Sequence, residues 1–323
     1  MDSPLEELQF FTIPDILRET TLIPKRAPRT FYLITLILIF PLSFAILAHS
    51  LFTHPLLAQL DRMSPEALTD SKLARHDWTA LLTFQFCYLI FLFAFSLLST
   101  GAVVFTVASL YTSKEVSFSN TLAAIPKILK RLFITFLWVS LLMFVYNALL
   151  LIFLLLALYC IDSQNVLLLF VILVLLMLFL VFHVYVTGLW HLASVVSVLE
   201  PIYGFQAMKK SYELLKGKTQ MAATLVFIYM IICSVISSSF GSVVVHGAEA
   251  YGTLTRILVG GFLVGVLVVV NFIGFLVQSV FYYVCKSYHH QTIDKSLLHE
   301  QLGGYLGEYV PLKSNIQMEH LEV

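Results

Sequence analysis

Apolar positions along this chain are gathered into six nearly unbroken runs, at approximately 31–52, 78–110, 132–158, 166–199, 221–244 and 254–285. A helix of about 20 mostly apolar residues, rising about 1.5 Å per residue, crosses a hydrocarbon core of about 30 Å. Every run is long enough. No Asp, Glu, Lys or Arg occurs between Phe31 and Leu60, Trp78 and Thr112, Leu132 and Ile161, or Ser163 and Leu199. A charge at the bilayer centre costs about 2.5–3.5 kcal/mol on insertion scales, so that absence marks spans rather than soluble core helices. The fifth run is diluted by Ser234, Ser237, Ser238 and Ser239, and the sixth begins around Arg256. The pattern predicts an all-α integral membrane protein, a bundle of six transmembrane helices. It divides the chain into an N-terminal segment (1–30), a six-span domain (31–286) and a C-terminal tail (287–323).

Orientation follows from the basic residues. Arg18, Lys25, Arg26 and Arg29 precede the first span; Lys114, Lys127, Lys130 and Arg131 follow the second; Lys209, Lys210, Lys216 and Lys218 follow the fourth; Lys286, Lys295 and Lys313 follow the sixth. Only Arg62, Lys72, Arg75 and Arg256 fall on the opposite side, a ratio of 15 to 4. The positive-inside rule therefore places both termini in the cytosol, which requires an even number of spans. The first 30 residues mix five acids with four bases around prolines, unlike a cleaved signal or a transit peptide. The first span is expected to act as its own uncleaved signal.

The second and fourth runs exceed a bilayer's thickness and are expected to tilt, bend or project into the cytosol, with Thr100-Gly101 and Thr187-Gly188 as candidate bends. These dipeptides lie 87 residues apart, as do Phe118 and Phe205, and Arg131 and Lys218. The offset suggests a parallel internal repeat of two spans joined by a cytosolic amphipathic elbow. Ser117–Ile125 and Gly204–Leu215 carry apolar residues at helical spacing, so each elbow is expected to lie as a short helix at the membrane interface. Lys127, Lys130, Arg131, Lys209, Lys210, Lys216 and Lys218 are its candidate contacts to anionic lipid headgroups or a protein partner.

Composition narrows the classes further. The chain is 59% hydrophobic and 12% charged, against about a quarter charged in an ordinary soluble domain. Nineteen bases balance nineteen acids, so no basic surplus points to nucleic acid. Cys87, Cys160, Cys233 and Cys285 lack metal-like spacing, and Cys285, close to a membrane edge, is a candidate for palmitoylation. No metal site and no cofactor are expected.

Val107–Leu132, Tyr203–Lys218, and the tail with Ser287-Tyr288-His289-His290 and Tyr305–Lys313 resemble an uncharacterised family of plant six-span membrane proteins. The likeness covers most of the chain. The pattern from Gly204-Phe205-x-Ala207 to Leu215-Lys216-Gly217 is more distantly similar to the membrane domain beside bacterial glycerophosphodiester phosphodiesterases, whose catalytic barrel has no counterpart here. The resemblance implies a multi-pass protein of the endomembrane system or plasma membrane, and no catalytic residue.

Polar groups inside the runs are the remaining candidates, because unpaired ones are costly in hydrocarbon. Asn147, His183, Asn271 and Gln278 are expected to make helix-to-helix contacts, with Gln85 and His191 beside them. His183 and His191, eight apart, share roughly one helix face. Gly261 and Gly265 form a GxxxG pair, read as a helix-packing seam within the chain or between two copies. Glu66, Asp70, His76 and Asp77 share the loop after the first span, but no nucleophile elbow, HExxH or phosphate-binding loop accompanies them. The leading expectation is a non-enzymatic scaffold, trafficking factor or regulatory subunit. A channel or transporter with a path past Asn147, His183 and Gln278 is the main alternative, and a lipid-modifying enzyme the third.

Overall fold

The computed structural model describes residues 5–61, 71–112, 117–160, 166–248, 250–291 and 303. Arg62, Glu66, Asp70, Lys114 and the tail residues Tyr305–Lys313 lie outside these, as do the side chains of Lys72, Arg75, His76, Asp77 and Cys160. Among the described residues all regular structure is helical. A 3₁₀ turn (Leu5–Phe10) leads into α1 (Ile13–Arg26) and α2 (Pro28–Ile34), which passes through a π-helical turn (Thr35–Ile39) into α3 (Phe40–Asp61). Then come α4 (Ser71–Tyr111), α5 (Phe118–Cys160), α6 (Val166–Leu199), α7 (Phe205–Leu215), α8 (Thr219–Phe240, closing on a π turn, Gly241–Val245) and α9 (Thr253–Tyr288). Six stretches are long and apolar enough to cross a membrane: Pro28–His54, Trp78–Tyr111, Phe118–Ala157, Leu167–Leu199, Thr219–Val245 and Thr253–Tyr288.

Local sequence explains the ends and interruptions. Asp15 accepts from the Thr12 backbone N–H (3.0 Å) and hydroxyl (2.5 Å), closing a capping interaction at the start of α1. Those bonds hold the Asp15 carboxyl below its ordinary range, so their support of α1 is present above about pH 4 and fades as the pH falls through the lowered value. Pro41 cannot donate to the Ile37 carbonyl, and the widened Thr35–Ile39 turn lies just before it.

The last span is the hub. α9 packs against the N-terminal 3₁₀ turn, α1, α3, α4, α6, α7 and α8. Its final third, from Leu276 and from Gln278 through Cys285, is buried on every side. The matching stretches of α4 (Thr100–Ser109) and α6 (Leu192–Leu199) are buried beside it, so the core sits at the end of the bundle where both described chain ends lie. The opposite halves of α5 and α6 form a hairpin whose Leu, Phe and Val side chains, Phe144 and Leu167 among them, stay exposed. A surface of that kind requires hydrocarbon around it.

Two expectations need correction, on the elbows and on Cys285. α4 and α6 run unbroken through Thr100-Gly101 and Thr187-Gly188; a Cβ at Gly101 would meet Leu132 at 3.7 Å, and one at Gly188 would meet Val226 at 3.7 Å. Each glycine allows close approach of the following span. The two elbows also differ. The second is a separate short helix, α7, ended by Gly217 at φ +83°, whereas the first runs through Pro126 directly into the third span as one 43-residue helix. Lys130 occupies the position 87 residues before Gly217, and a non-glycine residue reaches positive φ only at a steric cost. Finally, Cys285 is fully buried, which denies an acyl chain access to its thiol.

Gly217→Ala tests the second elbow's break, because a Cβ there would sit 2.5 Å from the Tyr288 ring. We expect a loss of about 1–3 kcal/mol, read as a lower melting temperature of the purified protein. Gly261→Ala, which meets nothing within 4 Å, should leave the melting temperature unchanged or slightly raised.

Candidate functional site: a polar cleft in the bundle and a basic platform at its end

Two places collect the polar side chains. The first lies between α6, α8 and α9, where Gly188, Ala222 and Gly274 leave a cleft of about 80 Å³ otherwise walled by residues such as Leu225, Val226 and Phe275. His191 Nδ1 is 2.9 Å from Gln278 Oε1 across the α6–α9 contact. About two turns along α9 from Gln278, the Tyr229 hydroxyl donates to Asn271 Oδ1 (2.7 Å), and Asn271 Nδ2 donates to the Ser43 hydroxyl (2.8 Å). This relay ties the first, fifth and sixth spans together. Gln278 is only 8% exposed, and its Nε2 is buried without a hydrogen-bond partner among the described residues.

The other intramembrane candidates lie elsewhere. Asn147 sits on the exposed face of α5 and donates to its own helix, at the Met143 carbonyl (2.7 Å). His183 stacks on the Tyr146 ring at 5.7 Å, in the outer hairpin, where the Tyr146 hydroxyl also donates to the Phe179 carbonyl (2.6 Å). Gln85 pairs with His49 between the first two spans at 2.8 Å. The cleft lined by Gln278 includes neither Asn147 nor His183, so the three residues grouped as one path are not brought together. Helical spacing alone put His183 and His191 on one face. It could not say that α5 covers the first and α9 the second.

The second place is the bundle end that carries the basic residues. The α7 elbow is pinned from below: Gly204 N–H donates to the Thr135 hydroxyl (2.8 Å), Thr135 pairs with Ser197 (2.7 Å), and Ser211 donates to the Leu189 carbonyl (2.8 Å). Glu200, just past α6, accepts from the Tyr282 hydroxyl (2.6 Å) and from Lys286 (3.1 Å). Lys218 Nζ donates to the Gln9 carbonyl (3.0 Å) and lies 5.0 Å from the centre of the Tyr288 ring, while Lys210 donates to Gln291 (2.9 Å). His289 meets the Leu214 carbonyl at 3.1 Å. The N-terminal segment, the elbow and the end of the last span thus form one surface. Lys127, Lys130, Lys209 and Lys216 are exposed on it, Arg131 half-buried, and Tyr203, Phe205, Tyr212 and Trp138 add exposed rings nearby.

Sequence reading missed Ser43, Tyr229, Glu200, Tyr282 and Thr135. Serine, threonine and tyrosine are common in spans and carry no spacing signal. Glu200 did carry one, as the first acid after a charge-free stretch from Ser163. At the far end, Arg256 donates twice to the Val244 carbonyl (3.0 and 2.5 Å), in the π turn, and the His54 and His246 rings meet edge to face at 4.6 Å.

These features define an α-helical, six-span, multi-pass integral membrane protein. The chain belongs to the family described as "Domain of unknown function (DUF8558)", whose model matches residues 1–321. No curated protein and no solved structure matches it.

Replacing Asn271 by Leu leaves the Tyr229 and Ser43 hydroxyls without their partner. The expected cost is about 0.6–2 kcal/mol in the unfolding of purified protein. In a double-mutant cycle, Ser43→Ala should cost measurably less in the Asn271→Leu background than alone.

Proposed function

We propose that the protein acts without catalysis, by association: a multi-pass scaffold or regulatory subunit whose basic end engages anionic headgroups or a partner. The carrying observation is the locked surface built by Lys218 on Gln9, Glu200 on Lys286 and His289 on Leu214. It joins segments more than 200 residues apart and presents lysines beside interfacial aromatic rings, the composition that suits a headgroup layer. The 15-to-4 count of basic residues supports a cytosolic position for this end. The resemblance to plant six-span proteins supports the endomembrane system or the plasma membrane as its location.

Two measurements address this reading. In nanodiscs, a soluble partner or anionic lipid should be retained by the wild-type protein and lost about tenfold when Lys127, Lys130, Lys209 and Lys216 are together replaced by Gln, with weaker retention at high salt. Liposomes carrying the purified protein should pass no more ions or small solutes than empty ones; flux above that background would establish the transport class instead.

Self-association is supported by the GxxxG pair. Gly261 and Gly265 both lie on the exposed face of α9, and among the described residues nothing lies within 4 Å of where each Cβ would be, which favours a seam between two copies. Replacing both by Ile should lower the dimer fraction captured by crosslinking in bilayers.

A further inference from the structure

We propose that the cleft between α6, α8 and α9 holds one molecule of a neutral membrane lipid bearing a free hydroxyl group, with the hydroxyl seated between His191 and Gln278.

Hydrogen-bond accounting motivates it. Gln278 Oε1 can only accept, so His191 Nδ1 carries the proton and the ring's Nε2 is left as an acceptor. Gln278 Nε2 is a buried donor without a partner, which in an apolar setting is costly unless something enters to accept from it. The pair thus offers one acceptor and one donor. Reversing the Gln278 amide exchanges these roles between the two residues and leaves the same pair of needs. A hydroxyl group meets both at once, giving its proton to the nitrogen and accepting from the N–H. A carbonyl or ether oxygen meets only one.

Charge and depth restrict the ligand further. Among the described residues no Lys, Arg, Asp or Glu lines the cleft, so a phosphate or carboxylate headgroup would be buried there without a counter-ion. His191 is eight residues before the end of α6, and Gln278 ten before the end of α9. That places the pair about 12–15 Å from those helix ends, within stretches of α6 and α9 that carry no Lys, Arg, Asp or Glu. An uncharged head on an apolar body suits such a lining better than a zwitterionic one. Gly188, Ala222 and Gly274 make the room, and apart from Asn271, whose amide is bonded to Tyr229 and Ser43, the remaining wall is aliphatic or aromatic. Sterols and diacylglycerols share this chemistry.

The test uses full-length protein in phosphatidylcholine nanodiscs with two photoreactive probes, a 3-hydroxy sterol and a diacylglycerol, each paired with its O-methyl ether. We expect one hydroxyl probe to label saturably at one per chain, on peptides spanning Gly188–Leu192 or Asn271–Phe281, with its ether at least tenfold weaker. Which of the two labels identifies the lipid class. Gln278→Leu should weaken labelling about tenfold, and Ala222→Leu, which fills the cleft, should remove it. Equal labelling by alcohol and ether in the wild-type protein would overturn the proposal, independently of whether any variant folds. So would saturable labelling of neither probe, or labelling confined to other spans.

Discussion

Hydrocarbon offers no hydrogen-bond partner, so each span must satisfy its polar groups within the protein, and the architecture follows from how the last span does this. α9 packs against most of the other helices, and its second half carries the side chains that close the important contacts: Asn271 toward the first and fifth spans, Gln278 toward the fourth, and Tyr282 with Lys286 toward Glu200. Water does not favour helix association inside a bilayer as it does in solution. Close packing and these few bonds carry it instead.

The bundle is correspondingly uneven. At the basic end, α4, α6 and α9 are buried along whole stretches and the N-terminal segment is tied across them; at the other end, α5 and α6 project as an apolar hairpin with little covering it. A well-packed half with a locked surface and a loosely packed apolar half is an arrangement suited to presenting a fixed face on one side of a membrane. The polar cleft sits at the boundary between the two. There, small residues on facing helices hold the backbones close while leaving room beside them.

The two segments related by the 87-residue offset differ in structure at single residues. Gly101 and Gly188 each accommodate the following span. The elbows then part company at Lys130 and Gly217: positive φ is open to glycine and turns the second elbow into a separate helix, while the first continues straight. Pro126, which usually interrupts a helix, is tolerated near the start of α5, where the Leu122 carbonyl it leaves unbonded belongs to an exposed residue.

By itself the sequence determined the number of spans, their approximate limits, the helical class and the segregation of basic residues to one side, because all four depend on the transfer of individual residues between water and hydrocarbon. That energy is local, and it is legible from composition along a line. Which polar groups meet was decided only by the tertiary structure. Asn147 and Gln278 are equally conspicuous in sequence, yet one bonds its own helix on a lipid-facing surface and the other lies between helices opposite His191. The difference arises from the rotation and pairing of whole helices, set by the summed packing of many apolar side chains, and no single residue's chemistry encodes it.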